Sequence, residues 1–236
     1  MKNILAIVER ELRAYFASPV AYVVLTIFVL LSGVFFQTIL RQIIQMATIN
    51  ALQSQQFGGA PQPIDMPGMI SQSFIGTLSV VLLFMLPMIT MGLFSEEKKR
   101  GTIELLLTAP VTDFQVVMGK YLAAVSFYAI MLVTTWVPIS VLFIYADPAW
   151  GPILTGYLGL LLYGVGLLAV GLFISTLTEN QIIAGVLSFG TILMLWMVDA
   201  VAQSATATTR AVLGYLSILG HLDDFIRGVL TTSHAI

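Results

Sequence analysis

An all-α, polytopic membrane bundle is the fold class this sequence predicts, and three observations carry the prediction. Of its 236 residues 58% are hydrophobic and only 9% charged, where a soluble domain typically carries about 25% charged residues. Several apolar runs are long enough to cross a bilayer. Those runs are apolar on every face, whereas a membrane barrel would alternate apolar and polar residues in stretches of about ten. The mean hydropathy of +0.96 agrees, and a soluble enzyme is excluded.

Residues 1–17 put Ile4, Leu5, Val8, Leu12, Tyr15 and Phe16 on one stripe, the pattern of an amphipathic helix at the membrane interface. Ser18-Pro19 then offers a capping hydroxyl before a first-turn proline. The first span is 20–40, without a charge in 21 residues. At about 1.5 Å per residue it reaches roughly 31 Å, enough to cross the hydrocarbon core. Four more follow at 74–94, 119–145, 153–177 and 182–202. Thr112 and Gln115 form a capping-box pair ahead of the third, and Gly151-Pro152 opens the fourth. Pro87 and Pro138 fall inside spans and predict bends there. Residues 41–73, rich in Gln, Gly and Pro, read as a flexible connection. Residues 203–236 read as an outer interfacial segment.

Short-loop Lys and Arg set the orientation. Lys2, Arg10, Arg13, Lys98, Lys99, Arg100 and Lys120 fall on the side of the N-terminus; Arg41, Arg210 and Arg227 fall on the other. The chain is thus expected to be a multi-pass protein of the cell membrane with a cytoplasmic N-terminus. A secretory signal is not the reading, because the apolar run is too long and is followed by Arg41-Gln42-Ile43.

Much of the chain's charge is gathered in one loop, SEEKKRGTIELLLTAPVTDFQ over 95–115. Gly101-Thr102 can open a short helix filled by Ile103 to Leu107, and Ala109-Pro110 ends it. Its leucines have no core of this chain to enter. A short apolar helix flanked by charges and hung below the bilayer over 96–111 fits another protein's groove.

Catalytic signatures are missing: there is no phosphate loop, no H-E-x-x-H and no G-x-S-x-G. With zero Cys and two His, thiolate and histidine-rich metal sites are excluded, and the net charge of -2 gives no basic field for nucleic acid. His221, Asp223 and Asp224 either bind a cation or solvate a helix end. Asp199, near the end of the fifth span, is either a pathway or gating residue or an interfacial polar group. Gly164, Gly166, Gly171 and Ser175, with Ala184 and Ser188, are small residues for close helix packing.

The stretch EEKKRGTIELLLTAPVTDFQVVMGKYLA closely resembles the signature of the type-two ABC exporter permeases. An acidic-basic cluster (Glu96 to Arg100), Gly101-Thr102, Glu104 to Leu107, Ala109 to Val111 and Lys120 carry the likeness. ERELRAYFASPVAYV and LGHLDDFIRGVL resemble most the subgroup with gliding-motility-associated and copper-maturation permeases. The resemblance covers nearly the whole chain. It implies that the loop is a coupling helix docking a separate cytoplasmic ATPase subunit through Glu96, Glu97, Arg100, Gly101, Thr102, Glu104, Leu105, Leu106 and Pro110. ATP and Mg would lie on that subunit, so this chain would carry no cofactor or metal and no catalytic residue. A second copy or a related permease, and the lipid bilayer, would be the other partners; no nucleic acid is expected. Family members have six spans and end in the cytoplasm, while this sequence stops at Ile236 where a sixth would begin: a truncated chain, or a member without that helix. The rival function is a membrane scaffold or assembly factor that recruits a cytoplasmic protein without transport.

Overall fold

The computed structural model describes residues 2–57, 65–101, 111–204 and 225–226. Among the described residues the regular elements are all helices. They are α1 (Lys2–Ala17), α2 (Pro19–Phe57), α3 (Met66–Thr90), α4 (Ser95–Arg100), α5 (Asp113–Thr134), α6 (Trp136–Ala146), α7 (Trp150–Leu177) and α8 (Gln181–Ser204). Five stretches are long and apolar enough to cross a membrane: Pro19–Gln56, Met66–Lys99, Asp113–Ala146, Trp150–Leu177 and Gln181–Val198.

Helix α3 is the most buried of the five. It packs against α2, α7 and α8, and α7 in turn meets α5 and α8. Phe74, Leu78, Leu82 and Leu86 on α3 are fully buried with Tyr128, Ile153, Leu160 and Leu168. Glycines on α7 make the close approach possible: a Cβ at Gly156 would stand 2.6 Å from Ile75 Cδ1, and Gly164 and Gly171 lie against Tyr128 and Thr90. Gly166, expected to share this role, faces open space.

Two expectations about the connections are corrected. The segment 41–73 is not a flexible link along its length, because α2 runs on through Arg41 to Phe57. That stretch has no Gly or Pro and is mostly Gln, Ile, Ala, Leu and Met, residues of which most favour the helix. Its 39 residues make a helix about 58 Å long, nearly twice the hydrocarbon thickness. Helix α3 then opens at Met66, eight residues before the predicted span at 74. Asp65 caps it, accepting the Gly68 amide at 3.0 Å.

Span three is interrupted near Pro138, and the break between α5 and α6 falls at Thr135. Proline has no N–H and its ring crowds the carbonyl of residue i−4, here Thr134. A neighbour stabilises the broken turn: Tyr157 on α7 shares a hydrogen bond with the Thr135 hydroxyl (2.7 Å) and donates to the Thr135 carbonyl (3.3 Å).

Candidate functional site

The charged loop begins with α4, and several side chains of this stem contact other helices. The N-terminal residues of a helix leave amides without intrahelical partners, and Phe94 at the cap position supplies no side-chain acceptor. Ser175, in the last turn of α7 and fully buried, supplies it instead. Its Oγ accepts the amides of Phe94 (3.0 Å) and Ser95 (3.2 Å). Lys98 Nζ donates to the Thr176 carbonyl at 2.5 Å, a cation on the carbonyl end of α7, where the helix dipole favours it. Glu96 lies on the other side, beside Gln181 at the start of α8. Their Oε2 and Nε2 stand 3.5 and 3.2 Å from where a Cβ on Gly92 would be.

Glu97 points to the third side. Its Oε1 is 2.9 Å from Lys120 Nζ and 3.6 Å from an Arg10 guanidinium nitrogen. Lys120 also pairs with Glu11 at 3.4 Å, and Glu11 with Arg10 at 2.7 Å. Two cations and two carboxylates from α1, α4 and α5 thus form one balanced cluster. Lys120 is only 2% exposed, so its charge depends on these partners; its Nζ also lies 5.4 Å from the centre of the Phe94 ring. The neighbouring Tyr15 hydroxyl is buried and makes no hydrogen bond among the described residues. Burial, then the charges of Glu11 and Glu97, raise its pKa well above the usual phenol value, so it stays neutral.

This cluster sits where α1 runs along α5, and the two helices are parallel. Asn3 bonds Gln115 at 3.3 Å, Ile7 covers Gly119, Glu11 meets Lys120, and the rings of Tyr15 and Phe16 lie 5.6 and 5.9 Å from that of Phe127. The amphipathic stripe therefore faces this chain's own α5. One of its members, Leu5, is exposed, while Ile7, outside the expected stripe, is buried. Glu11, which is not one of the stripe residues, points inward to Lys120.

At its far end α4 stops at Gly101, which adopts a left-handed backbone (φ +68°), a conformation that costs other residues a steric penalty. Gly101 therefore ends α4; the short helix that the sequence suggests it opens lies outside the described residues. Thr102, Glu104, Leu105, Leu106 and Pro110 lie outside the described residues, as do His221, Asp223 and Asp224. Arg100 and Asp199 close α4 and lie near the end of α8, and their side chains are likewise outside the description. The chain re-enters the bundle at Thr112, whose side chain and that of Gln115 make the reciprocal capping box that opens α5.

Sequence reasoning assigned Glu96 and Glu97 to docking; in the structure Glu97 also pairs with Lys120 of its own bundle. It missed Arg10, Glu11 and Ser175. The signal for the first two was present: Lys120 is a lysine in the first turn of an apolar span, and such a charge calls for a counter-charge. Among the described residues no group of three or more His, Asp or Glu side chains could hold a metal.

Comparison with known proteins bears on a helical bundle that presents one clamped, charged loop. A 101-residue stretch is 33% identical to the "Probable multidrug ABC transporter permease YbhR" of Escherichia coli K12, and equally to that of Escherichia coli O157:H7. That stretch covers 40% of this chain and 26% of each relative. No solved structure matches. The family model described as "ABC-2 type transporter" matches residues 2–201, which takes in α1, the stem and all five candidate spans, and the chain therefore belongs to the ABC-2 type transporter family.

Proposed function

We propose that this chain is the permease subunit of an ATP-driven exporter, with ATP hydrolysis on a separate cytoplasmic subunit docked on residues 102–110. The supporting observation is the frame around that loop. Its stem α4 is held to the α1–α5 pair by the Glu97–Lys120 ion pair and meets α7 through Ser175 and Lys98, and Gly101 and the Thr112 capping box flank the loop. A loop delivered from so rigid a stem can take up the displacement of a docked subunit and pass it to the spans. In this reading Thr102, Glu104, Leu105, Leu106 and Pro110 carry the docking with Gly101 and Arg100, while Glu96 and Glu97 hold the stem.

The charged end faces the cytoplasm, since it gathers most of the Lys and Arg, and the N-terminus lies there. ATP and Mg belong to the partner. Two permease copies, or this chain with a relative, line the pathway, with Asp199 as its candidate gating residue. An apolar or amphipathic cargo is the reading supported by the name of the relatives, probable multidrug permeases. Within the family, the resemblance of ERELRAYFASPVAYV and LGHLDDFIRGVL supports the subgroup of gliding-motility-associated and copper-maturation permeases.

The test is an affinity pull-down of the tagged chain from gently solubilised native membranes, beside a Glu104→Arg, Leu105→Asp double variant. An ATP-binding subunit recovered with the parent and lost with the variant is the expected result. A parent that folds and brings down no such subunit would hand the function to the scaffold reading.

A further inference from the structure

The Glu11–Lys120–Glu97 cluster has a mechanical consequence that neither the family nor the docking loop supplies. Lys120 sits on α5 between two acids from separate elements, Glu97 on α4 at 2.9 Å and Glu11 on α1 at 3.4 Å. At 2% exposure it cannot exchange either partner for water. If α4 moved away from α1, a buried charge would lose a counter-ion, and that is strongly unfavourable. The remaining contacts bind the same three elements: Asn3 to Gln115, Ile7 against Gly119, and Phe127 against the rings of Tyr15 and Phe16. The elements are interrupted just beyond these contacts, at Ser18 between α1 and α2 and at Thr135 between α5 and α6.

We propose that Lys120 is a positioning residue that locks α1, α4 and the first half of α5 into one rigid body, so that a displacement of the loop reaches α2 through α1 as well as α3 directly. The inference rests on the coupling role proposed above for the loop, but the lock can be measured without it. The ties from α4 to α7, through Ser175 and Lys98, and its packing against α8, include among the described residues no buried cation shared between acids. They are the contacts expected to slide when the rigid body moves.

The chain has no Cys, so paired spin labels can be placed cleanly at exposed sites. One pair, Ala6→Cys with Lys99→Cys, reports α1 against α4; a second, Ala6→Cys with Ile182→Cys, reports α1 against α8. Pulsed electron-electron distances are read on the permease in lipid nanodiscs, alone and in the co-purified complex with and without ATP and vanadate. The α1–α4 distance should stay fixed and narrow in every state while the α1–α8 distance shifts on trapping. Lys120→Met should broaden the α1–α4 distribution and Lys120→Arg should keep it narrow. Glu11→Gln, which leaves Lys120 paired with Glu97, should broaden it too, and serves if Lys120→Met fails to fold.

An α1–α4 distance that moves on trapping in the parent, or one as narrow in Lys120→Met or Glu11→Gln as in the parent, overturns the lock. If no ATP-binding subunit co-purifies, the proposed function fails instead. The comparison of parent and variants in the permease alone then decides the lock by itself.

Discussion

Ser175, at the end of α7, caps Ser95, at the start of α4: the Ser175 hydroxyl accepts the Ser95 amide at 3.2 Å and that of Phe94 at 3.0 Å. One side chain from the fourth span thus satisfies two donors of a helix 80 residues away in the chain. Ser175→Ala would leave both donors buried without an acceptor. Losing a cap costs about 1 kcal/mol and a buried donor left unpaired about 1–3 kcal/mol. The variant should therefore lose about 2 kcal/mol or more, seen as a lowered unfolding temperature of the purified chain in detergent. Thr176→Ala, next door, removes an exposed hydroxyl that bonds only its own helix. It spares the carbonyl that Lys98 uses and should change stability by less than about 0.5 kcal/mol. Equal losses in the two variants would refute the cap.

Tyr15 supplies a pH signature for the same region. Its phenol is held neutral in the folded chain, mainly by burial and then by Glu11 and Glu97, so its folded pKa lies above the unfolded value of 10.0. A raised pKa contributes stability that is complete below the unfolded value and is lost as pH rises toward the folded one. Stability should consequently show no Tyr15 dependence below pH 10 and decline above it. Tyr15→Phe should flatten that alkaline decline. Near neutral pH it should be neutral or mildly stabilising, since it deletes a buried hydroxyl without a hydrogen-bond partner. Denaturation of parent and variant at a series of alkaline pH values checks both statements.

The spans were legible because hydrophobic runs of bilayer length allow little besides a helix, and local signals such as Thr112–Gln115 and Ser18-Pro19 fixed helix starts well. Helix ends were less legible. Leu40 was taken as an end because hydropathy falls there, yet the backbone responds to propensity, and Gln-rich 41–57 keeps the helix going. The cluster at Lys120 shows a different limit. Glu11, Glu97 and Lys120 are far apart in sequence, and charge-counting read Lys120 only as one of the cytoplasmic-side cations. Only the parallel course of α1 along α5, set by Ile7 against Gly119, turns Glu11 inward.

The small residues of α7 separate into those that packing uses and one that it does not. A Cβ on Gly164 would run into the Tyr128 ring, which is itself fully buried, whereas a Cβ on Gly166 meets nothing within 4 Å. Forcing a methyl into a packed core costs about 1–3 kcal/mol. Gly164→Ala should therefore destabilise the bundle by about that much, while Gly166→Ala, in open space on a helix, should be neutral or gain from Ala's higher helix propensity, worth up to about 1 kcal/mol. Thermal unfolding of the two single variants separates the cases, and a Gly166→Ala loss as large as that of Gly164→Ala would contradict the packing of α7 on α5.

The placement of the stem against α8 can be checked by a covalent bond. An ideal Cβ on Gly185 would stand 3.5 Å from Met91 Cβ, at the near edge of the separation that a disulfide spans, about 3.5–4.5 Å. With no native Cys to compete, Met91→Cys with Gly185→Cys should oxidise to a single intramolecular bridge between the turn after α3 and the second turn of α8. Maleimide labelling of the denatured chain, before and after reduction, reads its formation. A control pair, Met91→Cys with Gly166→Cys, should stay reduced, because nothing approaches the Gly166 position. If the Met91–Gly185 pair stays reduced as well, α8 does not pack beside the stem as described. If it bridges, the same bond becomes a tool. It ties the turn leading into α4 to α8, across the contact expected to slide, and should stop substrate movement by the assembled complex while leaving the ATPase subunit bound.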